Sequence, residues 1–271
     1  MRPEELYLND IVESREIAVH EYFAVNWRVV WVVAMCIAAA LLTLSDFSGT
    51  FASGFYPGGM TGFDISFPQC GCDYPDAPFD FGIVGVTRGR AFSRNPCLAS
   101  EFAWATGHPL APSLYMNLQY PIGATAPKGM TGPKGKCAKA DKVCQAYNYG
   151  WNAAQDAFTY ATGQGAASDH WWLDIEIANS WCAKPALNAQ VIQAAIDFLH
   201  SQGITVGIYS TKRMWNIIAG SFAPALDIWV PGASSFATAP DFCTPAYAFG
   251  GGSVSLVQYQ SGGFDAPEAC P

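Results

Sequence analysis

Charge is scarce in this chain. Its 271 residues include 14 Lys and Arg against 22 Asp and Glu, 13% of the total, and the net charge is -8. A nucleic-acid interface needs clustered cations to neutralise phosphates, so an acid excess with no basic stripe evident in the sequence argues against that class. Histidine is also sparse: His20, His108, His170 and His200 are the full set, and none has metal-ligand spacing to a cysteine pair. No metal or cofactor is expected. No Gly-x-Ser-x-Gly elbow occurs, and neither His170 nor His200 has an evident serine or cysteine partner, which sets a secreted protease or esterase aside. No repeat of fixed period is visible, which excludes solenoids and propellers.

What is abundant is apolar and aromatic. Hydrophobic residues make up 51% and aromatics 14%, with 9 Trp, enough for one domain of a little over ~200 residues to bury a full core. Of the 9 cysteines, Cys36 lies in an apolar N-terminal run. The others are Cys70, Cys72, Cys97, Cys137, Cys144, Cys182, Cys243 and Cys270, an even set that points to disulfides in an oxidising compartment. Many pairings are open; Cys137 with Cys144 is the nearest local one, and Cys243 with Cys270 would fasten the C-terminus.

Residues 29–45 read VVWVVAMCIAAALLTLS, uncharged and apolar all round, about long enough to cross a ~30 Å hydrocarbon layer as a helix. Arg2, Arg15 and Arg28 precede it and the next basic residue is Arg88. The positive-inside rule therefore predicts a cytoplasmic tail over 1–28, a transmembrane anchor or uncleaved signal over 29–45, a linker over 46–59, and an extracytoplasmic domain over 60–271. Cleavage and secretion is the alternative.

In that domain, short β-branched and aromatic runs alternate with helical stretches, as expected of βα units around a parallel sheet. Candidate strands are 61–66, 82–87, 113–119, 171–176 and 204–209; helices are expected at 188–202, stopped by Gly203, and near 211–221. Further strands at 227–231, 245–249 and 254–259 follow with short loops. Five βα units and three strands close a TIM-like (β/α)-barrel of the (β/α)5β3 form. The stretch 121–143, with TGPKGKCAKADK, reads as a surface loop whose positive charge has two readings, contact with an anionic polymer and, the more usual one, a solvated face.

The chemistry centres on WWLDIEIANSW. Asp174 and Glu176 stand two apart on a strand, so both point to one face with Cα atoms ~6–7 Å apart. Glycosidic cleavage needs two carboxyl groups with separated pKa values, and this spacing can supply them. Together with GFDISFPQ, GIVGVTRG, GIYS, DIWVPGA and LVQYQSGG in this order, the strand resembles glycoside hydrolase family 25, the lysozyme-type muramidases, and the related glycoside-hydrolase-like domains of actinobacterial exported proteins. The resemblance covers roughly residues 60 to 265. It implies Glu176 as general acid, Asp174 as its carboxylate partner and Asp64 as a third carboxylate in the same mouth, with the pKa of Glu176 raised by the charges of Asp174 and Asp64. It further places Arg88, Asn117, Tyr209, Trp229, Gln258 and Tyr259 near a sugar groove. Where the family usually ends on a Val-Asp-x-Asn type segment, this chain has GGFDAPEAC, which offers Asp265 in its place. Two functions stay open on these grounds: hydrolysis of a cell-wall glycan of peptidoglycan type, and a non-catalytic glycan-binding or cell-envelope domain on the same barrel.

Overall fold

The structure, a computed structural model, describes residues 54–76, 78–121 and 126–271. The expected tail, the 29–45 segment and the linker up to residue 53 lie outside the described residues.

Eight strands form a closed barrel. In chain order they are β1 (Gly62–Ile65), β2 (Phe81–Gly85), β3 (Ser113–Asn117), β4 (His170–Asp174), β5 (Thr205–Tyr209), β6 (Asp227–Pro231), β7 (Val254–Ser261) and β8 (Phe264–Ala269). Strands β1 to β7 run parallel from neighbour to neighbour, and β8 closes the ring antiparallel to both β7 and β1. Helices α1 (Leu98–Ala105), α2 (Lys142–Gly163), α3 (Pro185–Ser201) and α4 (Lys212–Ile218) follow β2, β3, β4 and β5. After β1 the chain makes only a 3-10 turn, Phe67–Gln69, so the first of the five expected βα units has no α-helix.

The helix expected at 188–202 is α3. Its apolar stripe, Val191, Ile192, Ala195, Ile196 and Leu199, is buried against the outer faces of the strands, and Gly203 leaves the helix with φ +77°, a conformation costly for any residue with a Cβ. The 121–143 stretch carries a one-turn helix, Ala126–Gly129, and a small hairpin pairing Thr131–Gly132 with Gly135–Lys136.

Two expectations need correction. Residues 245–249 form no strand: Pro245 opens the segment, Phe249 alone of the five is buried, and Gly250 and Gly251 follow with positive φ, so the run turns back toward β7 instead of pairing. The eighth strand is instead β8, whose FDAPEA sequence hides it because proline and carboxylates are poor strand formers. It needs no helix to reach β7, since the hairpin turns on Gly262 and Gly263, both at positive φ.

Strand alternation divides the apolar residues into two layers. Outward-facing Val84, Leu114, Trp171, Leu173, Ile175 and Val206 pack under the helices, while Phe81, Ile83, Trp172, Trp229 and Leu256 fill the barrel. The lumen is packed by pairing large with small: a Cβ added to Gly207 would stand 2.3 Å from the Trp172 ring, and one on Gly62 2.4 Å from the Phe81 ring. Phe55 and Tyr56, which fall in the expected linker, seal this layer. The Tyr56 ring stacks 3.6 Å from that of Phe81, and Phe55 lies 4.5 Å from Trp172. Among the described residues no helix is long and apolar enough to cross a membrane.

Candidate active site

The parallel strands all deliver their C-terminal ends to one rim, and the carboxylates gather there. Asp64 comes from β1 and Asp174 is the last residue of β4. Glu176 lies two residues beyond Asp174, on the same face, because Ile175 between them turns outward into the helix layer and its N–H continues the ladder to the carbonyl of Tyr209 at 2.9 Å. The indole of Trp181 donates to the Glu176 carbonyl at 2.8 Å and fixes this short extension. Asp265 sits directly opposite Asp64 in the β1–β8 register. Antiparallel β8 thus brings a fourth carboxylate to the mouth, from the segment where the sequence departs from the family's ending.

Neutral amides, not cations, support these carboxylates. Asn117 donates to Oδ2 of Asp174, and its own orientation is set by Thr87, whose hydroxyl donates to Asn117 Oδ1 at 2.7 Å. On the opposite side of the barrel Gln258 donates to Oδ2 of Asp64 at 2.9 Å, while the Tyr209 hydroxyl donates to Gln258 Oε1 at 2.8 Å. Gln260 donates to Asp265. In each of the first two chains a hydroxyl fixes which end of the amide faces the acid. Glu176 differs: its carboxyl accepts no hydrogen bond among the described residues. Oδ1 of Asp174 is likewise buried without a partner there, as is the indole N–H of Trp229.

Burial without a countercharge raises every one of these pKa values. For Asp64 the larger cause is burial and the next is the charge of Asp265; for Asp174 burial leads and the charge of Glu176 follows. Asp265 is pushed up to about 6 by burial, against the opposing bond from Gln260. Glu176 is raised by burial first and then by Asp265. Removal from water and the β8 carboxylate thus join the repulsion between Asp174 and Glu176 that the sequence leads one to expect, while the charge of Asp64 acts on Asp174. Among the described residues no group of three or more His, Cys, Asp or Glu is arranged to hold a metal.

The other expected groove residues divide. Asn117, Tyr209 and Gln258 are in the site. Trp229 lies beneath it, its ring 4.7 Å from Tyr209 and 5.6 Å from Trp172, as the floor of the mouth. Tyr259, one residue past the inward Gln258, faces outward into a cluster with Phe63, Val257 and Ala266, and is not part of the mouth. Arg88 is exposed, with its guanidinium 5.6 Å from the centre of the Phe67 ring. It forms no ion pair with the acids among the described residues, where Arg94–Asp156 is the pair present. The sequence reading missed Tyr115 and Thr87. Tyr115 shares the inward face of β3 with Asn117 at period two, and its hydroxyl is held un-ionised by burial and then by the charge of Asp64. Gly85 makes room for it, since a Cβ there would lie 2.7 Å from the phenol ring.

Comparison with known proteins bears on the barrel and on the family likeness. A family described as Lysozyme-like protein 1 matches residues 142–241. A "Probable GH family 25 lysozyme 3" of Dictyostelium discoideum is 31% identical over 93 residues, 33% of this chain and 19% of that protein. This chain resembles the family 25 lysozymes. A second Dictyostelium discoideum protein, "Probable GH family 25 lysozyme 4", is 29% identical over 107 residues, 38% of this chain and 48% of the relative. The matched stretch therefore spans less than half of either curated lysozyme. Among solved structures, a muramidase from Acremonium alcalophilum superposes with a TM-score of 0.52 at 17% identity, covering 78% of this chain and 94% of that one. The endolysin CTP1L superposes at 0.50 and 10% identity, covering 78% of this chain and 66% of its own. At these identities the two structures establish the shared barrel, while the two Dictyostelium lysozymes carry the family likeness.

Proposed function

We propose that this chain is a glycoside hydrolase that cleaves a β-linked amino-sugar polymer of peptidoglycan type, with Glu176 as general acid. One observation carries the reading: of four carboxylates around one mouth, three receive an amide donor that favours their ionised form, and Glu176 receives none among the described residues. The acid in glycosidic cleavage must hold its proton at working pH until the leaving oxygen takes it. Glu176, lifted by burial and by Asp265, is the member of the cluster arranged for that. Asp174, with one oxygen held by Asn117 and the other without a partner among the described residues, is placed to balance positive charge as it grows on the sugar ring. Asp64, held by Gln258, adds negative potential from the facing strand. Tyr209, supported from beneath by the buried Trp229 ring, gives the aromatic edge against which a sugar packs. The names of the two Dictyostelium relatives support the same reading. Release of reducing ends from purified peptidoglycan by the full chain tests it, and binding without release would favour the non-catalytic alternative.

The proposal includes position. Residues 29–45 anchor the chain in the cell membrane with residues 1–28 cytoplasmic and the barrel outside, where the polymer lies; the arginine asymmetry and the disulfides support this. Protease added to intact cells should remove the barrel and leave an N-terminal fragment of about 25 residues protected. A barrel that survives until the cells are lysed contradicts this.

A further inference from the structure

Most of the Lys and Arg among the described residues lie on two neighbouring connections of the barrel. Arg88, Arg90 and Arg94 lie on the connection that follows β2. Lys128, Lys134, Lys136 and Lys139 lie on the one that follows β3, and Lys142 opens α2. All of these are exposed. The rest of residues 54–271 contains only Lys184, Lys212 and Arg213 as basic residues. Across both connections, 86–97 and 118–141, the single acidic residue is Asp141, and its side chain is occupied in capping α2, accepting from the Cys144 N–H at 2.9 Å.

The fold holds these cations in place without neutralising them. Arg88 lies over Phe67, Arg94 over Tyr160, Lys128 over Phe92 and Lys134 over Tyr147, at 4.4–5.6 Å from the ring centres. A ring face positions a cation and leaves its net charge intact, whereas a carboxylate would cancel it. Among the described residues only Arg94 of the group has an acidic partner, Asp156. The two connections are clamped together: Tyr160 of α2 donates to the Asn95 carbonyl at 2.5 Å, and the Phe92 ring meets Tyr149 at 5.2 Å. Disulfides Cys70–Cys97 and Cys137–Cys144 brace each connection. Between them an open groove of about 360 Å³ runs past Phe92, Lys128, Asn152, Gln155 and Asp156, the carboxylate paired with Arg94. The shelf begins at Arg88, next to the Thr87 that orients Asn117 toward Asp174, so it leads straight into the carboxylate mouth.

A surface of this kind suits a long, flexible chain of regularly spaced anions far better than a ligand with one or two charges. We propose that the shelf formed by the β2 and β3 connections binds a polyanion with repeating phosphodiester groups carried on the glycan substrate, and holds that substrate at the mouth. This deepens the hydrolase reading and rests on it for the substrate, while the shelf itself can be tested without turnover.

The test measures binding of the full chain to synthetic poly(glycerol phosphate) as a function of salt. Affinity should fall steeply with salt concentration, because bound cations release the polymer's counterions. Combining Lys134→Gln, Lys136→Gln and Lys139→Gln should lower the slope of log affinity against log salt by about 2, at ~0.7 per cation for a flexible polyanion. The same variant should weaken low-salt binding at least ~10-fold while cleaving an uncharged oligosaccharide like the parent. A second variant, Lys136→Glu with Lys139→Glu, alters two solvent-exposed side chains and should weaken binding further without lowering the melting temperature. Equal slopes for parent and variants, or absence of polymer binding, overturns the proposal. So does tighter binding to phosphatidylglycerol vesicles, or to single-stranded DNA, than to the polymer. If the chain binds the polymer but cleaves no glycan, the shelf stands and the hydrolase reading falls.

Discussion

Asp265 illustrates how a carboxylate can cost stability and still serve the site. Its folded pKa, about 6, stands above the value near ~4 that it has in an unfolded chain, and those of Asp64, Asp174 and Glu176 are raised as well. A folded state that binds protons more tightly than the unfolded state is stabilised at low pH. The contribution from Asp265 is therefore greatest below ~4 and is lost as pH rises toward about 6. Asp265→Asn should then leave stability at pH ~4 nearly unchanged and raise it at pH ~7 by on the order of 1 kcal/mol, read as a shift in urea midpoint. The same change removes the charge that lifts Glu176, so the alkaline limb of activity should move to lower pH. An unchanged difference in stability between the two pH values would separate Asp265 from the cluster.

At the scale of elements, the barrel depends on small residues standing where large rings must fit. Gly207 of β5 faces Trp172 of β4, its partner in register. Gly207→Ala would place a methyl group 2.3 Å from that ring. The overpacking should cost ~1–3 kcal/mol, seen as a lower melting temperature, and its absence would mean that the lumen has slack. Much of this architecture was legible in advance. Seven of the eight expected strands exist with ends shifted by a few residues, because buried parallel strands are continuous apolar runs bounded by turns. The eighth was not legible, since Pro267, Asp265 and Glu268 disguise a strand that is defined by its two neighbours and not by its own composition. The site divides the same way. Asp174 and Glu176 are readable from their spacing on one strand. The facing of Asp64 by Asp265 depends on a contact across most of the chain, which no local pattern reports. Gln258 and Tyr259 are adjacent on β7, so strand alternation sends one in and the other out; that rule alone decides against placing both in the groove.

For the molecule as a whole, cross-links tie the long connections and the C-terminus to the barrel. Cys70–Cys97, Cys137–Cys144 and Cys243–Cys270 are bonded, while Cys72 and Cys182 are free. Two of these bonds are the pairs singled out by sequence. Alkylation of the non-reduced protein followed by mass spectrometry should label Cys72 and Cys182 and spare the other six outer cysteines. Labelling of all eight would place the domain in a reducing compartment and contradict the extracytoplasmic proposal. Molecular charge is divided as well, with acids concentrated at the mouth and cations on the adjoining shelf, so that one rim of the barrel presents both the chemistry and the surface beside it.

The central claim is that Glu176 supplies the proton for glycosidic cleavage, and the most direct measurement compares the full chain with Glu176→Gln on purified peptidoglycan, recording reducing ends released and glycan bound. The exchange keeps the shape of the side chain and removes its transferable proton, so release should fall by ~10²-fold or more, with binding and melting temperature close to those of the parent. Release by the Gln variant at the parent's rate would contradict the claim.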